Sequence, residues 1–238
     1  MSPNPMHPSQ DQPAHSELVD ERRPAADVGR VYVAFVSAYL VGAPGGPWVL
    51  VDTGLPHLSA LLRRRAQQLY HGRPPEAIVL THGHFDHAGN ALDLARQWDA
   101  PVYAHPLELP YLSGRSAYPP ADPTVGGAIG LMSRAFPSSG TNLGGRLHPL
   151  PEDGTVPGLP EWRWLHTPGH TAGHVSLFRE RDGVLIAGDA LATVDQASPL
   201  SPFNLRARFS VPPAPLTTDW AAARRSVELL ASLRPHTV

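Results

Sequence analysis

Three histidines and an aspartate crowd the six residues His82-Gly83-His84-Phe85-Asp86-His87, which follow on the apolar run Ala77-Ile78-Val79-Leu80 and Thr81. A buried strand that ends in so many imidazole and carboxylate groups must open into a place that satisfies them, and a transition metal is the partner they suit. Alternate strand residues face one way, so His82 and His84 point together into a cleft while Gly83 points elsewhere and leaves the backbone free to turn. Asp86 and His87 stand at the start of a helix expected over Ala88 to Trp98. There they face a second position, so one segment feeds two metals. The competing reading makes these turn and cap residues, since Asp is a good helix N-cap. Three His and an Asp packed this tightly weigh against it.

Along the chain, strand and helix alternate. Residues 1–28 are polar and Pro-rich without periodicity and read as a disordered tail; 29–238 read as the folded domain. Val31 to Val41 is rich in β-branched and aromatic residues, and Trp48 to Asp52 follows a Gly/Pro-rich connection as the second arm of a hairpin. Leu58, Leu61, Leu62 and Leu69 recur at helical spacing up to a stop near Gly72-Arg73-Pro74-Pro75. Strands are expected at Ile78 to Thr81, Pro101 to Ala104, Trp162 to Leu165, Val175 to Phe178 and Val184 to Ala187, and a last helix at Ala221 to Leu233. Two irregular stretches, Leu109 to Leu147 (with the short apolar segment Ala128 to Phe136) and Thr193 to Thr218, are expected to wall the active site or merely to cover the sheet.

Composition excludes some chemistry. The chain of 238 residues suits one α/β domain, and its formal net charge of −2 with no basic cluster beyond Arg63-Arg64-Arg65 leaves no nucleic-acid footprint. That triple Arg reads as the solvated face of a helix. Cys is absent, so His, Asp and Glu must bind any metal, and such donors favour zinc, manganese or iron. No apolar stretch approaches a membrane span and the N-terminus lacks a signal-peptide core, so a cytoplasmic protein without membrane or nucleic-acid partners is expected.

His-x-His-x-Asp-His after an apolar strand resembles the signature of the metallo-β-lactamase superfamily, and three further segments resemble its landmarks in order. They are Trp48-Val49-Leu50-Val51-Asp52-Thr53-Gly54, Thr167-Pro168-Gly169-His170-Thr171 and Ile186-Ala187-Gly188-Asp189, so the likeness runs from about Val31 to the C-terminus. It implies a four-layer αββα sandwich and two Zn2+ per chain, with iron or manganese as alternatives. It also implies the ligand set: His82, His84 and His170 at the first position, Asp86 and His87 at the second, and Asp189 bridging. Two such cations share a water and lower its pKa from 15.7 toward about 7, supplying hydroxide, while Asp86 orients the nucleophile and passes its proton to the leaving group. Asp at position 189, where some true β-lactamases carry Cys or Ser, points to the glyoxalase II, lactonase and phosphodiesterase branches.

One departure from the family pattern concerns the second position, which normally ends with a His in a Gly-His loop beyond the last strand. Here the sequence given stops at Leu233-Arg234-Pro235-His236-Thr237-Val238. Truncation, a substitute ligand in His236, or a single occupied metal are the expectations this raises. His105, His148, His166 and His174 read as surface or hydrogen-bonded supporting groups, and Asp52 and Thr53 as groups behind the ligands, with Asp52 holding a ligand imidazole in its tautomer. Tyr118, Phe203 and Phe209 are candidate substrate contacts or residues that pin their loops. The expected function is therefore hydrolysis of a small ester, thioester or lactone. The alternatives are a mononuclear iron oxygenase acting on a persulfide and a non-catalytic metal-stabilised binding module. A small molecule is the expected partner; a homodimer is allowed, with the oligomeric state open.

Overall fold

The computed structural model describes residues 19–20, 24–33, 35–125, 130, 133–138, 141–192 and 211–238. Most of the expected N-terminal tail, much of the second irregular stretch including Phe203 and Phe209, and part of the Ala128 to Phe136 segment lie outside the described residues.

The expected αββα sandwich is observed. Its first sheet runs in sequence order through β1 (Val19–Asp20), β2 (Val28–Val33), β3 (Val36–Val41), β4 (Val49–Val51), β5 (Ala77–Val79), β6 (Val102–Ala104) and β7 (Leu147–Pro149). Pairing is antiparallel from β1 to β4 and parallel from β4 to β7. The second sheet is an antiparallel array ordered β11 (Val184–Ile186), β10 (Val175–Arg179), β9 (Leu159–His166), β8 (Thr155–Val156).

Alternation along β4 and β5 sorts the core. Leu50 and Ile78 face the helices α1 (Ser59–Tyr70) and α3 (Ala91–Trp98), where they join Leu62, Leu69, Leu94 and Trp48. Val49, Val51, Ala77 and Val79 face the second sheet and meet Leu159, Trp162, Val175, Leu177 and Ile186. Strands buried on both faces read as unbroken apolar runs, which is why Val49 to Val51 and Ala77 to Leu80 look alike in the sequence. Outside the second sheet, Leu185, Ala187 and Ala190 pack against Leu230 of α5 (Trp220–Ser232). Buried Trp48 stacks on Tyr70 at 4.5 Å and donates Nε1–H to the Arg73 carbonyl at 2.9 Å, fixing the exit of α1.

Several boundaries differ from the sequence expectation. The single stretch Val31 to Val41 is two strands, β2 and β3, closed by the pair Val33 and Val36; Ala34-Phe35 carries no Gly or Asn to mark the turn. The helix expected from Ala88 is broken into α2 (Phe85–Ala88) and α3. At the break, Asn90 donates its Nδ2 hydrogens to the Thr53 and Leu55 carbonyls at 2.6 and 2.7 Å and accepts from Leu58 N–H at 3.0 Å, so the helix yields to a tie with the Asp52-Thr53-Gly54 loop. The first irregular stretch holds α4 (Leu109–Leu112) and ends in β7, whose Pro149 is tolerated because the strand is an edge. Within the expected tail, β1 pairs with β2, and Asp27 takes both NH groups of Arg179 at 2.6 and 2.9 Å. Arg179 is 1% exposed and also sits 4.8 Å above the Trp162 ring.

Candidate metal centre

Parallel strands deliver their C-terminal ends to one edge of the first sheet, and the β9–β10 and β11–α5 connections arrive there from the second. The two sheets are stitched at this edge, where Val175 N–H donates to the Thr81 carbonyl at 2.9 Å. All six sequence-predicted site residues converge there.

His82, His84 and His170 form one cluster and His82, His87 and Asp189 another, with ligand atoms within 4.8 Å of one another in each. His84 Nδ1 lies 3.0 Å from His170 Nε2. Asp189 spans the two clusters, with Oδ1 3.4 Å from His87 Nε2 and Oδ2 3.3 Å from His170 Nε2. Asp86 stands at the second cluster, its Oδ2 3.9 Å from His87 Nε2. His236 does not join it. Its N–H donates to the Gly183 carbonyl at 2.9 Å, at the opposite end of β11 from Asp189, because Thr237 runs beside Val184 as a parallel bridge.

His82, His87 and His170 are each aimed by a partner on the other ring nitrogen. Asp52 is 1% exposed and accepts from Thr81 N–H, Thr81 Oγ1–H and His87 Nδ1–H, each at 2.8 Å, as the Asp-Thr-Gly resemblance implied. The Thr81 hydroxyl, donating to Asp52, accepts from His82 Nδ1–H at 3.1 Å; the Thr217 hydroxyl, donating to the Pro213 carbonyl at 2.8 Å, accepts from His170 Nδ1–H at 3.3 Å. The Nε2 atoms of His82, His87 and His170 are thereby left to the two clusters. His174, buried below the site, accepts Asp189 N–H on Nε2 at 2.9 Å and donates Nδ1–H to Thr167 Oγ1 at 2.9 Å, which sets the loop carrying Asp189. Gly169, at φ 137°, lets the His170 loop press on α5, where a Cβ would lie 2.3 Å from Ala223 N.

Burial governs the charges. It holds His82 and His84 well below the usual imidazole range, aided by neighbouring imidazoles, and lowers His170 to about 4 against the pull of Asp189. Burial would lower His87 as well, but Asp189, Asp52 and Asp86 raise it well above the usual range. Asp189 is held well below the carboxylate range: burial pushes it up, and the His87 imidazole outweighs that. Asp86 is pushed up to about 6 by burial, with His87 opposing. Carboxylates around His87 thus call for positive charge, which a proton or a divalent cation supplies.

The donor set fits such a cation. Among the described residues, His82 Nε2 and Asp86 Oδ1 are buried with no hydrogen-bond partner, and an unsatisfied buried polar group costs about 1–3 kcal/mol. Two imidazole nitrogens 3.0 Å apart, of His84 and His170, are likewise suited to a shared Lewis acid. A cleft of about 150 Å³ opens beside Asp52, Asp86, His87 and Asp189, with Tyr32, Tyr39, Ile186 and Leu191 in its walls.

The sequence reading missed Glu108, which is fully buried beneath the site and bonded to the loops on both sides of it. Its only signal was an acid between the apolar residues Leu107 and Leu109. Tyr118, a candidate substrate contact, is buried instead and donates its hydroxyl to Glu108, so it pins its loop. His105 and His166 stack on each other at 4.3 Å, and His148 packs on Tyr103; neither group belongs to the metal clusters.

The family model described as the metallo-beta-lactamase superfamily matches residues 31–238. The probable metallo-hydrolase YflN of Bacillus subtilis is 40% identical over 216 residues, 89% of this chain and 82% of that protein. A hydroxyacylglutathione hydrolase of Anaeromyxobacter dehalogenans is 33% identical over 153 residues, covering 64% of this chain and 45% of its own length. Among solved structures, TTHA1623 in a di-iron-bound form superposes with a TM-score of 0.53 at 29% identity, over 83% of this chain and 81% of that one.

Proposed function

This chain belongs to the metallo-β-lactamase superfamily, and from that premise we propose that it hydrolyses a small ester, thioester or lactone using two divalent cations, zinc first among them. The observation that carries the reading is Asp189, one carboxylate whose two oxygens face His170 and His87 separately. That arrangement suits a bridge between two positions, His82, His84 and His170 holding one cation and Asp86 and His87 the other. Cations held there supply Lewis acidity and a water acidified toward neutral pH.

The chain's own groups do the rest. Asp86 keeps a bare, buried Oδ1 at the cleft, placed to orient a water, take its proton and return it to the leaving group. Asp52, Thr81 and Thr217 hold the imidazoles in the tautomers that leave Nε2 free. Aromatic and aliphatic walls at Tyr32, Tyr39 and Ile186 offer an apolar bed for an acyl group. Likeness to a protein named hydroxyacylglutathione hydrolase places thioesters first in any substrate panel.

The test is elemental analysis of protein purified without added metal, followed by ester, thioester and lactone assays. Two zinc, iron or manganese ions per chain and a turnover that falls by about 10²-fold or more in Asp86→Ala support the reading. One iron per chain with oxygen uptake on a persulfide puts the oxygenase ahead. A fully loaded protein that hydrolyses nothing leaves the binding module.

A further inference from the structure

Glu108 ends the 3-10 turn Pro106–Glu108 that follows β6, and it is fully buried. A carboxylate taken out of water is costly unless its oxygens are bonded. Here each oxygen meets two donors. Oε1 accepts from Thr171 Oγ1–H at 2.7 Å and from Gly173 N–H at 3.0 Å. Oε2 accepts from Gly83 N–H at 3.0 Å and from the Tyr118 hydroxyl.

What those donors belong to is the informative part. Gly83 lies between His82 and His84, and Thr171 adjoins His170. One side chain therefore grips two loops that arrive from different sheets and that together present the three-histidine cluster. Both loops are pressed onto it: a Cβ on Gly173 would lie 2.8 Å from Glu108 Cγ, and one on Gly83 would lie 2.5 Å from the Tyr118 hydroxyl. His87 is held from elsewhere, by Asp52. Tyr118 extends the grip to its own loop and to a histidine ring, since it stacks on Tyr111 at 4.0 Å and stands edge-on to His84 at 4.4 Å.

We propose that Glu108 is a positioning residue for the His82, His84 and His170 position alone, a yoke that sets the distance between the two loops and ties the Tyr118 ring to it. The inference rests on the reading of that trio as a cation site. Gln replaces it poorly: the Thr171 and Tyr118 hydroxyls can turn to accept from its NH2, but that NH2 faces the Gly173 N–H in one orientation and the Gly83 N–H in the other.

The experiment is a zinc titration of metal-free wild type and Glu108→Gln against a competing chelator. Side-chain imidazole NMR of His84, His170 and His87 shows which position fills, and circular dichroism checks the fold. Expected is an affinity loss of about 10–100-fold at the three-histidine position, the range for groups that orient metal ligands, with the His87 position within threefold of wild type. Should Glu108→Gln not fold, Thr171→Val and Tyr118→Phe each remove one donor and are expected to weaken the same position by a smaller factor. A folded variant that binds at the three-histidine position as tightly as wild type overturns the proposal, and so does an equal loss at both positions. Wild type that takes no zinc on these histidines sinks the metal reading itself, a separate failure.

Discussion

Asp52→Asn should weaken cation binding, most directly at the His87 position. The carboxylate accepts three hydrogen bonds of 2.8 Å, two from Thr81 and one from His87 Nδ1. With Oδ1 of Asn still serving Thr81 N–H, its NH2 takes the place of Oδ2 and points hydrogens at the Thr81 hydroxyl and at His87 Nδ1. His87 then satisfies the new donor by moving its proton to Nε2, the nitrogen that faces Asp189 and Asp86. A protonated Nε2 is no ligand. Losing this orienting partner is worth about 10–100-fold in metal affinity at the His87 position, or roughly 1.4–2.8 kcal/mol at 1.4 kcal/mol per tenfold. One charge-assisted hydrogen bond lost from the fold costs about 1.5–3 kcal/mol, which for a domain of this size lowers Tm by roughly 3–12 °C. Chelator competition with two resolvable zinc equivalents reads the first number and a thermal melt of metal-free protein reads the second. Asp52→Asn protein that retains both equivalents within threefold of wild type would refute the tautomer argument, whatever its Tm.

Two further outcomes follow from the geometry. The hydrogen bonds from Arg179 hold Asp27 below the usual carboxylate range, so its contribution is fully present above about pH 4 and is lost as pH falls through the lowered folded value; Asp27→Asn should cost about 1.5–3 kcal/mol at neutral pH and flatten that acid limb in urea melts taken between pH 2 and 7. Removing bound metal with a chelator should lower Tm markedly, since a ligand at a thousandfold its Kd stabilises by about 4.1 kcal/mol, and a Tm that does not move with added zinc would mean that the clustered imidazoles bind none.

Short-range pattern carried most of what the sequence revealed. β5 ends at Val79, so His82 and His84 converge in the loop beyond it and not by strand alternation; Asp86 and His87 follow on the short helix α2, and all four were legible from their close spacing. His170 and Asp189 needed the resemblance, because nothing local says that the β9–β10 and β11–α5 connections reach the same edge. Glu108 could not be read at all: its role exists only where the Gly83 and Gly173 backbones meet across the sheets. The break at Gly89-Asn90 was hidden for a similar reason, as the helical pattern continues through it and the tie to Thr53 and Leu55 is tertiary. The division of Val31 to Val41 into two strands was hidden as well, because no Gly or Asn stands between Val33 and Val36 to mark it.

The bond between Val175 N–H and the Thr81 carbonyl, one residue from His82, has a mechanical consequence. Because histidines from one sheet and His170 with Asp189 from the other must agree to within tenths of an ångström, the centre works as a gauge of how the two sheets are aligned. A slip along the Val79, Val175 and Leu177 seam too small to register in a melting curve would misalign the imidazoles first. Metal affinity in this protein is therefore a more sensitive reporter of its hydrophobic core than stability is, and substitutions far from any ligand belong among those that tune it.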